Sequence, residues 1–180
     1  FAKYSTFENC YIQATIVGKQ EIDGYAGGFV GLSGDSNYYN CYANVTVEAS
    51  DSDDNLSVGG FIGSSYYNDG YLKNVAASAT IKVAARTVKV GSLIGNNRDY
   101  VHKNTYYDID KYATGIGASS NDATTKGVKT TAFTNGTVCQ NLGGHFYKFV
   151  SNSTQHYQEC TVCGNKTTAE SHNIIEKATC

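Results

Sequence analysis

The sequence predicts an all-β fold: a parallel β-solenoid, β-helix-like, with coils of about 32 residues, plus a small C-terminal module stabilised through Cys and His. Three observations carry this. A glycine-rich box recurs at constant spacing, a second marker recurs between the boxes, and the last 36 residues have a different composition from the rest.

The box Ala26-Gly27-Gly28-Phe29-Val30-Gly31 returns as Val58-Gly59-Gly60-Phe61-Ile62-Gly63 and as Val90-Gly91-Ser92-Leu93-Ile94-Gly95, 32 residues apart each time. One such unit cannot bury its own apolar face, but units stacked about 4.8 Å apart can. Stacking predicts an interior column of Phe29, Phe61 and Leu93, with Val30, Ile62 and Ile94 lining the neighbouring face. The flanking glycines are expected to supply positive φ or a close backbone approach at a corner.

Between the boxes, Asn9-Cys10-Tyr11 matches Asn40-Cys41-Tyr42, with weaker copies at Asn74-Val75-Ala76 and Asn104-Thr105-Tyr106, at steps of 31, 34 and 30 residues. An alternating stretch rich in β-branched residues follows each of the first three Asn, beginning at Ala14, Asn44 and Ala79, and reads as strand. Stacked coils would bring Asn9, Asn40, Asn74 and Asn104 into an amide ladder. Cys10 and Cys41 would be neighbours, as two thiols behaving as small hydrophobes or as a disulfide.

The composition agrees. There are 19 Gly and 15 Tyr but no Pro or Trp, which suits short strands and tight turns. A net charge of −2 argues against nucleic acid as a general partner, and no run approaches the roughly 18 apolar residues of a membrane span. The chain begins at Phe1, contains no Met and ends at Cys180, so it reads as a piece of a longer polypeptide. Charge is segregated: eight acids and no base between Gln20 and Leu72, then six Lys or Arg against Asp99 alone from Lys73 to Lys103. This pattern fits solvated turns or a surface for calcium or a polyanion.

The boxes GGFVG and GGFIG with the NCYA marker resemble GLUG-motif repeats, which occur in large secreted and surface proteins of bacteria. The resemblance covers residues 1–138. Tyr106-Tyr107-Asp108, Thr130-Thr131-Ala132-Phe133 and Asn135-Gly136-Thr137-Val138 are similar to the way such arrays close. The sequence departs from the pattern at Ser92 and lacks a fourth box after Asn104, as a terminal cap would. The resemblance implies an extracellular or cell-surface setting and a stalk or binding role, and supplies no catalytic residues.

Residues 139–180 form the second unit, expected to be truncated. His145–Cys180 holds three of the four His and three of the six Cys. So short a segment needs metal or disulfides in place of a core. Cys160 and Cys163, with Gly164 relieving the turn, form a knuckle for zinc, and His156 and His172 would complete a tetrahedral site with no open position. A Cys160–Cys163 disulfide, a bridge to Cys139 or Cys180, or His and Cys without a shared role are the rival readings. Haem attachment needs His where Gly164 stands, and no βαβ pattern supports a redox C-x-x-C. The H-x3-C-x2-C-G core resembles a module of surface proteins from anaerobic Firmicutes, which places it without assigning its chemistry.

For function, the Tyr pairs Tyr38-Tyr39 and Tyr66-Tyr67 fall in corresponding stretches, and one ring of each pair pointing outward would form an aromatic strip suited to glycans or proteins. The rival reading is that these rings only cover the turns. Asp51, Asp53 and Asp54 are the dense acid cluster, either a solvated turn or a weak calcium site. No nucleophile motif or phosphate-cradling loop is present. The expectation is a non-catalytic, adhesin-like surface segment that binds host or microbial glycans or surface proteins, or acts as a stalk. The alternative is a fragment of a carbohydrate-active β-helix enzyme, which would need acids and bases converging on one groove.

Overall fold

A computed structural model describes residues 1–20, 24–51, 55–66, 69–84, 88–118 and 124–172. The chain is predominantly β, and its main sheets are parallel. The first sheet orders Ala2–Lys3, Val30–Gly34, Ile62–Tyr66, Ile94–Asn96 and Ile116–Ala118. The second orders Thr125–Val128, Val101–Asp108, Tyr71–Ala84, Asn37–Asp51 and Thr6–Glu8, with Tyr11–Gln20 also pairing Asn37–Asp51. The third holds Val88–Gly91, Leu56–Gly59 and Tyr25–Gly27. From Thr6 to Val101 the chain visits the second, third and first sheets in rotation.

Register follows the sequence period. Val30 pairs with Ile62 and Ile62 with Ile94, while Tyr11, Tyr42, Ala76 and Tyr106 form one row across the second sheet. The expected columns are present. Phe29 stacks on Phe61 at 4.8 Å, Phe61 and Leu93 are fully buried, and Phe61 N–H donates to the Leu93 carbonyl at 2.9 Å.

The amide ladder forms as well. Asn104 Nδ2 donates to Asn74 Oδ1 at 2.7 Å, Asn74 to Asn40 at 2.8 Å and Asn40 to Asn9 at 3.2 Å. These four Asn have φ between 52° and 57°. The positive φ expected of the box glycines therefore sits on the Asn markers, since Asn is among the few side-chain-bearing residues that tolerate the left-handed region. The box glycines serve close approach instead: a Cβ on Gly59 would lie 1.8 Å from the Ile62 carbonyl oxygen.

Each left-handed Asn shifts the in–out alternation by one residue. Before Asn40 the side chain in the main core is Tyr38; after it those in the same core are Cys41, Ala43, Val45, Val47 and Ala49, while Tyr42 is buried in a second cluster. The main core lies between the sheets and takes in Tyr38, Phe61, Leu72 and Ile94. Cys10 and Cys41 are both free thiols; Cys41 is buried, and burial pushes its pKa up to about 12. Part of the charge segregation resolves between neighbouring strands, where Lys82 Nζ meets Glu48 Oε1 at 2.7 Å. This pair is exposed and contributes little to stability.

A fourth box exists in shortened form, which corrects the expectation that none follows Asn104. Gly115-Ile116-Gly117 stacks under the third box, with Ile116 paired to Ile94 and Leu93 N–H bonded to the Gly115 carbonyl. The chain then forms α1 (Thr130–Thr134) and α2 (Thr137–Asn141). Buried Asp108 fastens this end: it accepts from Ser78 Oγ at 2.9 Å and Thr130 Oγ1 at 2.8 Å, while Asp110 Oδ2 takes the Thr130 N–H. Phe133, Val138 and Leu142 pack outside the second sheet on Tyr42, Ala76 and Tyr106, making a second core. Asn104 Nδ2 also donates to the Asn141 carbonyl, so α2 ends on the amide ladder.

The rest is antiparallel: Tyr147–Ser151 pairs with Gln155–Cys160, which pairs with Glu170–Ser171. Phe146 and Val162 join the second core. The boundary expected between residues 138 and 139 falls inside α2. Among the described residues no helix is long and apolar enough to cross a membrane.

Candidate metal centre and adjoining cleft

Cys139, His145, Cys160 and Cys163 converge, one ligand atom from each lying within 4.8 Å of all the others. Four local structures deliver them. Cys139 projects from α2, which begins at left-handed Gly136 beside Cys163. His145 follows the positive-φ pair Gly143-Gly144. Cys160 ends the central hairpin strand, and the next turn, closed by a Gly164 N–H to Cys160 carbonyl bond of 2.9 Å, returns Cys163 to it. Gly164 has φ 73°, the role expected of it.

The distances suit a tetrahedral ion. Cys139 Sγ and Cys160 Sγ are 3.7 Å apart, and Cys163 Sγ lies 3.3 Å from His145 Nδ1. Two thiolates on one zinc at about 2.3 Å stand about 3.8 Å apart, and a thiolate and an imidazole about 3.6 Å. A disulfide would bring sulfurs to about 2.05 Å. The electrostatics favour one thiolate. Burial works against ionised Cys160, but N–H groups of Cys163 and Val162, with His145, outweigh it and bring the thiol down to about 7. Burial and the adjacent Cys160 raise Cys139 and Cys163. These four residues could hold a metal ion, whose binding would displace the protons of the remaining thiols to solvent.

His156 and His172, expected as ligands, lie outside this group. Their rings stack on each other at 5.3 Å, and His156 Nε2 is 3.3 Å from Glu170 Oε2. The reason is local. His156 and Cys160 share a strand, and four residues of strand span about 13 Å, too far for one ion. The signal overlooked is C-x5-H-x14-C-x2-C, from Cys139 to Cys163. Its first two members sit on a helix and the loop behind it, where x5 can fold back.

The Tyr candidates separate. Tyr38 is a core residue, stacked on Phe7 at 5.2 Å with its hydroxyl 2.6 Å from Ser33 Oγ, so it is the inward member of its pair and drops out as a ligand-binding candidate. Tyr39 is half-buried beside Tyr71, Tyr66 is exposed, and Tyr67 lies outside the described residues. Asp51 ends a strand, while its side chain and all of Asp53 and Asp54 lie outside what is described.

Next to the metal ligands, a cleft of about 390 Å³ opens between the second sheet and the C-terminal module. Asn9, Asn40 and Tyr11 form one wall; the loop through Gly143, Gly144 and His145 to Lys148 forms the other. Its lining holds aromatic rings, amides and one Lys, and no Asp or Glu among the described residues.

No protein-family model, curated protein or solved structure matches this chain.

Proposed function

We propose that the chain is a β-solenoid segment of an extracellular, adhesin-like surface protein of the GLUG-motif kind, non-catalytic, whose C-terminal end is locked by a structural zinc ion. Support for the solenoid comes from the rotation of the chain through three parallel sheets and from the one-coil register of the Phe and Asn columns. The sequence resemblance carries the extracellular setting.

The observation that carries the non-catalytic reading is the use made of the reactive groups. The metal cluster offers four protein ligands, which fill a tetrahedral ion and leave no position for substrate. Buried Asp108 is occupied by Ser78, Thr130 and the Asp110 N–H. The cleft beside the cluster lacks the paired carboxylates that glycoside hydrolysis requires. Zinc suits the donor set because three thiolates and an imidazole match its preference, with His145 bound through Nδ1. Asn165, whose amide lies 3.3 Å from His145 Nε2, would then turn its oxygen to accept the Nε2 proton.

The test is a screen of the chain against glycans and extracellular-matrix proteins, with reducing-end release and zinc content measured in parallel. One zinc per chain and binding without sugar release is the expected result. Released sugar would replace this reading with the carbohydrate-active enzyme, and a folded metal-free chain would remove the zinc.

A further inference from the structure

We infer that the cleft between the second sheet and the C-terminal module is a binding site for a short glycan, and that the metal at Cys139, His145, Cys160 and Cys163 holds that site open. This rests on the non-catalytic reading above and gives it a location and a ligand class.

The shape and chemistry of the cleft point the same way. Its volume of about 390 Å³ lies within the about 300–1,000 Å³ of small-ligand sites. Sugars present an apolar C–H face and a rim of hydroxyls, so they need flat rings beside amide or hydroxyl partners. Tyr11, Phe146 and Tyr147 supply the rings, and Asn9 and Asn40 supply the amides. Asn9 ends the ladder within the described residues: its oxygen accepts from Asn40, and its own Nδ2 has no partner among them. An amide whose oxygen already accepts a bond is a stronger donor. That donor belongs to a residue lining the cleft and suits a sugar oxygen. The absence of Asp and Glu from the lining admits a carboxylate-bearing sugar beside Lys148 as readily as a neutral one.

Dependence on metal follows from how the second wall is held. The loop Leu142–His145 runs between two ligands, Cys139 and His145, and carries Gly143 and Gly144 at φ 93° and 149°. A Cβ on either glycine would meet nothing within 4 Å, so beyond Leu142, which is anchored in the second core, the loop is held by the Gly143 and Gly144 N–H bonds to the Gln140 and Cys139 carbonyls alone. The shared ion would add the tie that fixes His145 relative to α2. Phe146 and Tyr147 come directly after His145 and move with it.

The experiment immobilises the zinc-loaded chain and titrates it with neutral oligosaccharides (cellotriose, chitotriose) and an acidic one (trigalacturonate). It is repeated on Tyr147→Ala, Tyr147→Phe and Tyr66→Ala, and after metal removal by EDTA with zinc then restored. Circular dichroism and zinc content confirm that each variant is folded. At least one oligosaccharide should bind. Tyr147→Ala should weaken it by roughly tenfold, while Tyr147→Phe and Tyr66→Ala leave it within about twofold. EDTA should abolish binding and zinc restore it. Acidic binding that Lys148→Ala removes would identify the carboxylate-bearing class; neutral binding that survives Lys148→Ala would identify the neutral one. Binding lost in Tyr66→Ala but kept in Tyr147→Ala would overturn the cleft while leaving a glycan-binding surface segment intact. Binding that survives EDTA would overturn the metal dependence. No binding by any of the three sugars to a zinc-loaded chain would overturn the inference without touching the structural zinc.

Discussion

In the parallel sheets, stabilising contacts are repeated from one strand to the next; in the C-terminal module four candidate ligands converge on one point. Phe29 rests on Phe61, Phe61 on Leu93, and the four Asn amides run in sequence beside them. Removing one rung leaves its neighbours stacked, because stability in such an array is close to a sum over adjacent units. The hairpin module exposes Phe149 at 78% and Tyr147 at 42%, and its buried contribution to the second core is small. Its candidate tie is the group Cys139, His145, Cys160 and Cys163, which could hold a metal ion. Distributed support tolerates variation in any one copy, whereas convergent support tolerates none among its four ligands. That difference fits a copy such as Val75, where the first two markers have Cys.

The sharpest break in this comparison is expected from removing the proposed zinc. Structural zinc contributes on the order of 10 kcal/mol to folding of such sites. Cys160→Ser, or EDTA treatment of the parent chain, should release residues 142–172 to rapid amide exchange and to proteolysis. The strands Asn37–Asp51 and Tyr71–Ala84 should keep their protection, because Tyr38, Leu72 and Ile94 belong to the other core. Hydrogen exchange read by mass spectrometry separates the two. Simultaneous loss of protection in both regions would mean that they share one cooperative unit.

An intermediate effect is expected in the ladder. Asn74 donates to Asn40, accepts from Asn104, and holds φ at 57°. Asn74→Ala loses both amide bonds and forces Ala into the left-handed region, for a cost of about 2–3 kcal/mol. Asn74→Gly loses the same bonds without the conformational cost and should be milder by about 1 kcal/mol. Urea unfolding followed by tyrosine fluorescence measures both. Equal effects would show that the ladder acts through its hydrogen bonds alone.

The repeat was legible in the sequence because period and register are the same quantity in stacked parallel strands. Marker steps of 31, 34 and 30 residues reappear as Tyr11–Tyr42, Tyr42–Ala76 and Ala76–Tyr106 pairs. Which Tyr of the pair turns inward was not legible, because the direction of Tyr38 depends on a phase shift at Asn40, and a single left-handed residue leaves no trace in an alternation pattern. The metal ligands were half legible. Cys160 and Cys163 are close in sequence and announce themselves, whereas Cys139 and His145 join them only once α2 docks on the Tyr42–Tyr106 row. Distance along the chain favoured His156, and the strand it lies on carried it away.

The smallest effect tests whether a departure in one copy is absorbed by the array. Ser92 stands where the first two boxes have Gly28 and Gly60. It is fully buried, and its hydroxyl has no hydrogen-bond partner among the described residues. A buried hydroxyl without a partner costs about 1–3 kcal/mol relative to one that is satisfied, and replacing it by an apolar group of similar size recovers part of that. Ser92→Ala keeps the Cβ already accommodated between coils and removes only the oxygen. It should therefore raise the unfolding free energy by about 1 kcal/mol, seen as a higher urea midpoint, without altering the zinc content or exchange of the C-terminal module. Ser92→Gly removes the same oxygen but adds backbone freedom to the unfolded chain, so its gain should be smaller by about 0.5–1 kcal/mol. A loss of stability in Ser92→Ala would mean that the hydroxyl is satisfied in solution, and that this copy is specialised to meet the shortened box at Gly115-Ile116-Gly117.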